Sequence, residues 1–292
     1  MSARAFQQVD VFTAKPYRGN PLAVVLDGDG LDTATMQHVT HWTNLSECTF
    51  LLPPTLEGAA AGADYRVRIF CPGRELPFAG HPTLGSCHAW LQAGGVARGE
   101  HIVQECGAGL VRIRRDENRL AFAAPALLKS GPLDEADVAL IARGLGVKRT
   151  DIVAHSWCDN GPHWRGVMLA SAEQVLALQP DGAVLAGLDL GVVGPRGKVG
   201  MLGAQTANSD TQFEVRAFFP GNNGLTEDPV TGSLNAALAQ WLIGAGLAPD
   251  TYVAAQGTAM QREGRVHIER DADGTVWVGG ASVTCINGTV LL

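Results

Sequence analysis

The sequence predicts an α+β fold made of two similar halves, each a curved sheet around one central helix. Three observations predict this fold: a motif that occurs twice, an apolar helix after each copy, and strand patterns throughout both halves. The motif reads R-x-F-x-P-G followed by E-x-P-x-x-G, at residues 68–80 and again at 216–232. The 292 residues suffice for one large domain or two smaller ones, and the duplication favours two.

The two copies of the motif differ in chemistry. Leu76 of the first copy corresponds to Asp228 of the second, and His81 corresponds to Ser233. We therefore expect a site between the halves that is lined by unlike groups.

An apolar stretch of helical length follows each copy, at residues 82–91 and 234–243. Apolar residues cover most of the circumference of both predicted helices. A helix of this kind is buried on most sides. The pattern therefore predicts a central helix in each half.

Strands are predicted where apolar residues alternate with polar ones, or run continuously, between Gly, Pro and Asp turns. In the first half these segments are 6–12, 22–26, 49–52, 65–70, 101–105, 110–114 and 120–123. In the second half they are 166–170, 199–205, 213–219, 252–256, 264–269 and 275–278. Peripheral amphipathic helices, each opened by Asp or Ser, are predicted at 32–42, 134–145 and 172–178.

The segment 125–132 is rich in turn-forming residues and is predicted to link the halves. The predicted domains are residues 1–125, which the last strand at 281–292 could complete, and residues 126–280.

Composition excludes several classes of function. The net charge of −7 is spread along the chain without a Lys/Arg cluster, so nucleic acid is not an expected partner. No apolar run reaches the about 20 residues of a membrane span. Since the start of the chain does not resemble a signal peptide, we expect a cytoplasmic protein. The six cysteines form no C-x-x-C pair, which favours reduced thiols and predicts no metal site.

Glycines end each copy of the motif where a helix is predicted to begin, at Gly80 and Gly232. Helix N-termini expose N–H groups and the positive end of the helix dipole, which suits them to anions. Two such termini could hold a carboxylate. The alternative is that the glycines only permit tight turns before buried helices.

Three ionisable residues are candidates for acid/base chemistry. Glu47 lies between a peripheral helix and an apolar strand, where partial desolvation raises a carboxyl pKa, but such residues are often solvated. His81 titrates near neutrality, although it could merely cap the helix. Asp228 precedes a proline and could be an ordinary turn residue.

Cys106 stands in the sequence Glu-Cys-Gly-Ala-Gly, which imitates a motif of epimerases that use paired thiols. The duplication aligns this segment with residues 256–258, where there is no cysteine. We therefore predict a tight turn between two strands here.

Four segments together resemble the PhzF family of phenazine biosynthesis. They are Gly19-Asn20-Pro21, Asn-Leu-Ser-Glu at 44–47, Glu-Leu-Pro-Phe-Ala-Gly-His-Pro at 75–82, and Glu-Asp-Pro-Val-Thr-Gly-Ser at 227–233. The resemblance covers essentially the whole chain. It implies a diaminopimelate epimerase-like fold with two pseudo-symmetric domains and the active site between them.

The resemblance also implies the roles of individual residues. Glu47 matches the proton-shuttling acid/base, while His81, Asp228 and Ser233 match residues that line the cleft and assist it. All four are therefore predicted to be catalytic. The predicted substrate-binding residues are Asn20, Ser46, Gly73, Gly80, Thr231 and Gly232. The best-known member of the family isomerises trans-2,3-dihydro-3-hydroxyanthranilate without a cofactor.

The predicted function is a cofactor-independent isomerase that moves a proton between carbons of a small carboxylate-bearing metabolite. Two alternatives stay open: an amino-acid epimerase or racemase on the same fold, and a catalytically silent protein that binds a metabolite or a protein partner. A homodimer is expected from the family. Cys48 stands where Thr is common in the family. The resemblance therefore predicts the acid/base chemistry but does not identify the substrate.

Overall fold

The computed structural model describes residues 2–116, 118–197, 210–221 and 224–292. The chain divides into two compact units: unit 1 is Met1–Ala123 with Gly279–Leu292, and unit 2 is Ala124–Val278. Folding as two independent domains, 1–125 and 126–280, stays a prediction. The strand predicted at 199–205 lies outside the described residues.

Unit 1 contains nine strands and three helices among its described residues. The strands are β1 (Ala3–Val11), β2 (Asn20–Val25), β3 (Cys48–Leu52), β4 (Tyr65–Cys71), β5 (Arg74–Leu76), β6 (Ile102–Cys106), β7 (Gly109–Asp116), β8 (Arg119–Ala123) and the last strand of the chain, β18 (Ser282–Leu291). The helices are α1 (Thr33–Thr43), α2 (Leu56–Ala60) and α3 (Gly80–Gln92).

The described part of unit 2 repeats this composition. Its strands are β9 (Lys129–Gly131), β10 (Ile152–Asp159), β11 (Arg165–Leu169), β12 (Leu190–Pro195), β13 (Phe213–Gly221), β14 (Gly224–Asp228), β15 (Thr251–Gln256) and β16 (Gly264–Arg270), followed by β17 (Val276–Gly280) at the boundary. Its helices are α4 (Glu135–Leu145), α5 (Ala172–Ala177) and α6 (Gly232–Gly244), with short 3-10 helices at Arg149–Asp151 and Thr258–Met260.

Strand pairing follows the same order in both units. In unit 1, β2 and β3 are parallel, β3, β4 and β5 are successively antiparallel, β4 and β6 are parallel, and β6 and β7 are antiparallel. In unit 2 the same sequence of pairings joins β11, β12, β13, β14, β15 and β16. Ile69 pairs with Leu76 and Ala217 pairs with Asp228, so Leu76 and Asp228 occupy matching steps, as the duplication predicts.

A buried helix lies at the centre of each unit, which confirms the prediction from the apolar stretches. Helix α3 packs against β1, β2, β3, β8 and β18, and α6 packs against β10 and β16. Nine residues of each helix are buried. Gly85 allows α3 to approach the sheet closely, because a Cβ at this position would lie 2.6 Å from Leu22 Cδ2.

The repeated motif builds the same scaffold twice. Arg68 donates to both carboxylate oxygens of Glu75 at 2.8 and 2.6 Å, and Arg216 donates to both oxygens of Glu227 at 2.9 and 2.8 Å. Each guanidinium also lies over the ring of the motif's phenylalanine, at 5.0 and 4.9 Å from the ring centre. Bidentate pairs of this kind fix geometry as well as adding energy. The motif therefore holds the hairpin that leads into each central helix.

Among the described residues, one α-helix and five strands were not predicted from the sequence: helix α2 and strands β5, β9, β10, β12 and β14. The predicted linker 125–132 contains β9, because Ser130 pairs with Cys158 of β10. Strands β5 and β14 had no apolar alternation to reveal them, and they form as the second arms of tight hairpins from β4 and β13. The predicted peripheral helices are confirmed as α1, α4 and α5, and Asp32 caps α1 by accepting from Thr35 N at 2.7 Å.

The six cysteines are free thiols, and Cys48, Cys87, Cys106 and Cys158 are buried. Burial raises the pKa of Cys48, Cys87 and Cys158 to about 12, so these thiols stay protonated. Within the described ranges, no helix is long and apolar enough to cross a membrane.

Candidate functional site

In unit 1, two parallel strands and the central helix bring three predicted site residues together. Asn20 is the first residue of β2, and Glu47 immediately precedes β3. Ala23 pairs with Cys48 in parallel register, so the first residues of these two strands lie at the same end of the sheet. His81 lies in the first turn of α3, which packs against both strands.

The connection from α1 to β3 sets the position of Glu47. Helix α1 ends at Thr43 and is followed by Asn44, whose φ of 57° is left-handed, a conformation that Asn tolerates better than most residues. The chain then turns through the partly buried Ser46 to Glu47. Next along the strand, Thr49 accepts a hydrogen bond from Ser86 of α3 at 2.9 Å. This bond fixes the helix relative to the strand that carries Glu47.

His81 contacts Asn20 and Glu47 through its two ring nitrogens. Asn20 Nδ2 lies 3.3 Å from His81 Nδ1, and His81 Nε2 lies 3.5 Å from Glu47 Oε2. An amide NH₂ can only donate, so Nδ1 is the acceptor and the neutral ring carries its proton on Nε2. The Nε2 side of the ring is therefore the one nearer to Glu47, although the 3.5 Å separation does not meet hydrogen-bond geometry.

Burial decides the charge of this histidine. The His81 side chain is 5% exposed, whereas the Glu47 side chain is 17% exposed. Desolvation lowers the pKa of His81 to about 3, so the ring is neutral at physiological pH. Glu47 is therefore the more accessible of the two side chains, and the imidazole beside it is buried and uncharged.

Asp10 shapes the loop that leads to Asn20. Its Oδ2 accepts from the backbone N–H groups of Arg18 and Gly19 at 2.7 and 2.9 Å. Gly19 is required here, because a Cβ would lie 2.1 Å from Val11 O. Nothing in the sequence pattern singled out Asp10, since a carboxylate within a strand gives no sign of backbone partners across a loop.

In unit 2, a hydrogen-bond network surrounds the start of α6. Thr231 Oγ1 donates to Asp228 Oδ2 at 2.5 Å, and Thr231 N donates to Gln256 Oε1 at 3.0 Å. Gln256 Nε2 donates to Thr231 Oγ1 and to Asp228 O, at 2.9 and 3.1 Å. Asn235 Nδ2 donates to Gln256 Oε1 at 2.7 Å. These bonds fix the orientation of the Asp228 carboxylate relative to the first turn of α6.

Ser233 is partly exposed in that first turn. Trp164 Nε1 donates to Ser233 Oγ at 3.2 Å, and Asn160 Nδ2 donates to Ser233 O at 2.9 Å. Both partners come from the loop between β10 and β11. The sequence predicted Ser233 but not Trp164, because a tryptophan ahead of a strand reads as an ordinary core residue.

A buried glutamine anchors the central helix in each unit, and the sequence prediction did not include either one among the site residues. Gln104 donates to Thr83 Oγ1 of α3 at 3.1 Å and accepts from Tyr65 at 2.9 Å. Gln256 contacts α6 with the opposite polarity, since its Oε1 accepts from Asn235 Nδ2 at 2.7 Å. The signal was available, since both glutamines lie at corresponding distances after the motif.

The helix starts predicted to hold an anion are Gly80 and Gly232, and each is the buried first residue of its helix. Neither preceding residue, Ala79 or Thr231, makes a side-chain capping bond to its helix. Gly73 lies in the exposed turn between β4 and β5. Binding of substrate by these residues stays a prediction.

Within the described part of the chain, no group of three or more His, Cys, Asp and Glu side chains is arranged to hold a metal ion. Cys106 lies at the end of β6 and pairs with Gly109 across the tight turn to β7, as predicted. Burial raises the pKa of its thiol, which disfavours the thiolate that a thiol-based epimerase needs.

Comparison with known proteins gives the family. The family model for phenazine biosynthesis-like proteins matches residues 9–288. The chain is 34% identical to antisense-enhancing sequence 1 of Schizosaccharomyces pombe, over 99% of both chains. It is 31% identical to a trans-2,3-dihydro-3-hydroxyanthranilate isomerase of Pseudomonas fluorescens, over 79% of this chain and 77% of that protein.

The fold agrees with these sequence relations. The crystal structure of a PhzF-family phenazine biosynthesis protein from Bacillus anthracis matches with a TM-score of 0.81, over 100% of both chains at 22% identity. This likeness confirms the predicted fold class. The relatives named as isomerases confirm the predicted class of enzyme. The chain therefore belongs to the family of phenazine biosynthesis-like proteins.

Proposed function

We propose that this protein is a cofactor-independent isomerase that moves a proton between two carbons of a small carboxylate-bearing metabolite, with Glu47 as the acid/base. The observation that carries the proposal is the position of Glu47 immediately before β3. Its side chain is partly exposed there and lies beside the neutral His81. A general base must keep access to its substrate, and Glu47 has the greater exposure of the two.

The proposed reaction needs no electron donor or acceptor. The Glu47 carboxylate removes a proton from one carbon, and the electrons of that C–H bond form a new double bond. The electrons of the original double bond then take the proton from the Glu47 carboxylic acid at a second carbon. The substrate and product are isomers, and Glu47 returns to its starting state.

His81 acts in this scheme as a positioning residue. Its Nε2 lies 3.5 Å from Glu47 Oε2, and Asn20 Nδ2 lies 3.3 Å from the other ring nitrogen. Because the ring is neutral, it can orient the carboxylate without contributing a permanent positive charge. Burial on all sides keeps the ring in one orientation while Glu47 changes protonation state.

The substrate carboxylate is assigned to the helix starts. The first turn of α3 lacks a side-chain cap, and its backbone N–H groups with the helix dipole favour an anion. The first turn of α6 has the same character, with Ser233 in place of His81. The roles of Asp228 and Ser233 in substrate binding are part of the proposal.

The first compound to test is trans-2,3-dihydro-3-hydroxyanthranilate, because a relative at 31% identity is named for its isomerisation. We expect the wild-type protein to isomerise this acid, or a close analogue found by thermal-shift screening, and to incorporate solvent deuterium at the carbon that receives the proton. Glu47→Gln should lower turnover by about 100-fold or more, since a positioned acid/base contributes on that order.

Glu57→Gln is the matched control, because Glu57 is an exposed carboxylate on α2 of the same unit. It should leave turnover unchanged. Full turnover by Glu47→Gln would contradict the proposal. Deuterium at an α carbon of an amino acid would instead support the epimerase, and binding without any exchange would support the silent protein.

A further inference from the structure

We propose that Trp164 is a positioning residue that makes Ser233 a hydrogen-bond donor toward an acceptor oxygen of the substrate. The inference rests on the proposed function, since it names a group that sets how Ser233 meets the substrate. Its basis is the contact between the indole N–H of Trp164 and the hydroxyl oxygen of Ser233, 3.2 Å apart.

The direction of this hydrogen bond is fixed by chemistry. An indole nitrogen carries a hydrogen and cannot accept, so Trp164 is the donor and Ser233 Oγ is the acceptor. The Ser233 hydroxyl has one hydrogen of its own, which must therefore point toward a different partner. Among the described residues, the Ser233 hydroxyl has no acceptor.

The loop that carries Trp164 is held in place. Asp159 is 6% exposed and accepts from Gly161 N at 3.0 Å, while its other oxygen lies 2.7 Å from His163 Nδ1. Trp164 is 4% exposed, and its backbone is bonded to Cys158 and Pro162. A rigid donor of this kind restricts the rotation of the Ser233 hydroxyl.

Asn160 of the same loop fixes the backbone of Ser233. Its Nδ2 donates to Ser233 O at 2.9 Å, so the loop contacts both the main chain and the side chain of one residue. Ser233 is partly exposed, whereas its partner Trp164 is buried. Ser233 is thus the more accessible residue of this pair.

The consequence is a preference in ligand chemistry. A Ser233 that accepts from Trp164 and donates outward favours a carboxylate, carbonyl or hydroxyl oxygen. It disfavours an ammonium group, which has hydrogens to donate and no lone pair to accept. The substrate group at Ser233 should therefore be an oxygen acceptor.

A spectroscopic measurement tests the contact itself. The chain has six tryptophans, and Trp164→Phe identifies the Trp164 indole signal in the ¹⁵N–¹H spectrum by its loss. In Ser233→Ala this signal should move upfield, because the indole loses its acceptor. In Ser233→Thr, which keeps a hydroxyl, it should stay close to its wild-type position. An unchanged signal in Ser233→Ala would overturn the inference.

A double-mutant cycle tests the positioning role, with 3-hydroxyanthranilate as the probe. Ser233→Ala and Trp164→Phe should each weaken its binding by about 5- to 10-fold, as expected for one hydrogen bond. The double variant should bind as weakly as Ser233→Ala alone, because Trp164 acts through Ser233. Additive losses would overturn the inference. Trp157→Phe, in β10 of the same unit, is the control and should leave binding unchanged.

The two proposals fail in different ways. Full turnover by Glu47→Gln would contradict the proposed function. The double-mutant cycle measures binding, so it would still test the role of Trp164. If 3-hydroxyanthranilate fails to bind the wild-type protein, the proposed substrate class is wrong, and the indole signal in Ser233→Ala then decides the inference on its own.

Discussion

The first turns of α3 and α6 are built on one scaffold and carry different chemistry. Each follows an arginine–glutamate pair from the repeated motif, begins at a buried glycine, and is tied to a buried glutamine. In α3 the next residue is a neutral histidine beside a glutamate. In α6 it is a serine, within a network of amides, hydroxyls and a carboxylate.

The difference shows that a duplicated fold can use one set of residues for structure and another for chemistry. The residues that recur in both units hold the hairpin and the helix, whereas the residues that differ are polar groups at the helix starts. Recurrence of a motif therefore marks scaffold here, and departure from it marks the candidates for chemistry. Matched residues of the two units should therefore respond differently to substitution.

The arginine–glutamate pairs should differ in their contribution to stability. The Arg216 side chain is 7% exposed and also donates to Val175 O and Leu178 O, whereas the Arg68 side chain is 17% exposed and its partner Glu75 is 40% exposed. Breaking a buried pair costs about 3–5 kcal/mol, and an exposed pair contributes about 1 kcal/mol or less. Arg216→Met should therefore lower the free energy of unfolding in urea more than Arg68→Met. Equal losses would show that burial does not distinguish the two copies.

The two glutamines provide a second comparison. Gln256 makes four hydrogen bonds around the start of α6, and Gln104 makes two around α3. Replacing either with leucine leaves its buried partners unsatisfied, at about 1–3 kcal/mol for each group and less when neighbours rearrange. We expect Gln256→Leu to cost about 3 kcal/mol, roughly twice the cost of Gln104→Leu. Urea unfolding monitored by far-UV circular dichroism measures both, and a larger loss in Gln104→Leu would contradict the account.

His81 should make stability depend on pH. The unfolded chain binds a proton at this residue below pH 6.5, while the folded protein does not until about pH 3, because burial lowers the pKa of the ring. Stability contributed by the neutral ring is therefore complete above pH 6.5 and falls as the pH drops toward 3, by up to about 1.4 kcal/mol per unit.

Urea titrations at a series of pH values test this dependence. His81→Gln should flatten the slope between pH 6.5 and 4, whereas His38→Gln, at an exposed histidine of α1, should leave the slope unchanged. An identical slope in wild type and His81→Gln would show that the ring is already protonated in the folded state.

Most of the fold could be predicted because its signals are local. Apolar patterns predicted most of the longer strands, but not β10 or β12, and the apolar stretches after the motif predicted α3 and α6. The three-residue strands β5 and β9 are too short to show a period and form only against a partner strand, and β14 has no apolar alternation.

Fewer of the site residues than of the secondary-structure elements could be predicted from sequence patterns. His81, Asp228 and Ser233 were visible as departures within the repeat, but Glu47 lies outside it and was identified only by family resemblance. Asp10 and Trp164 were missed, because their roles depend on contacts with residues distant in the chain. The charge of His81 is likewise set by burial, which its sequence neighbours do not reveal.

The central claim is that the α3 half of the scaffold carries the proton transfer, while Ser233 of the α6 half contributes binding. The most direct test measures deuterium exchange from D₂O into saturating substrate by NMR, for Glu47→Gln and Ser233→Ala in parallel. We predict that Glu47→Gln abolishes exchange, whereas Ser233→Ala raises KM and retains most of the exchange rate at saturation. Persistent exchange in Glu47→Gln, or its loss at saturation in Ser233→Ala, would contradict the account.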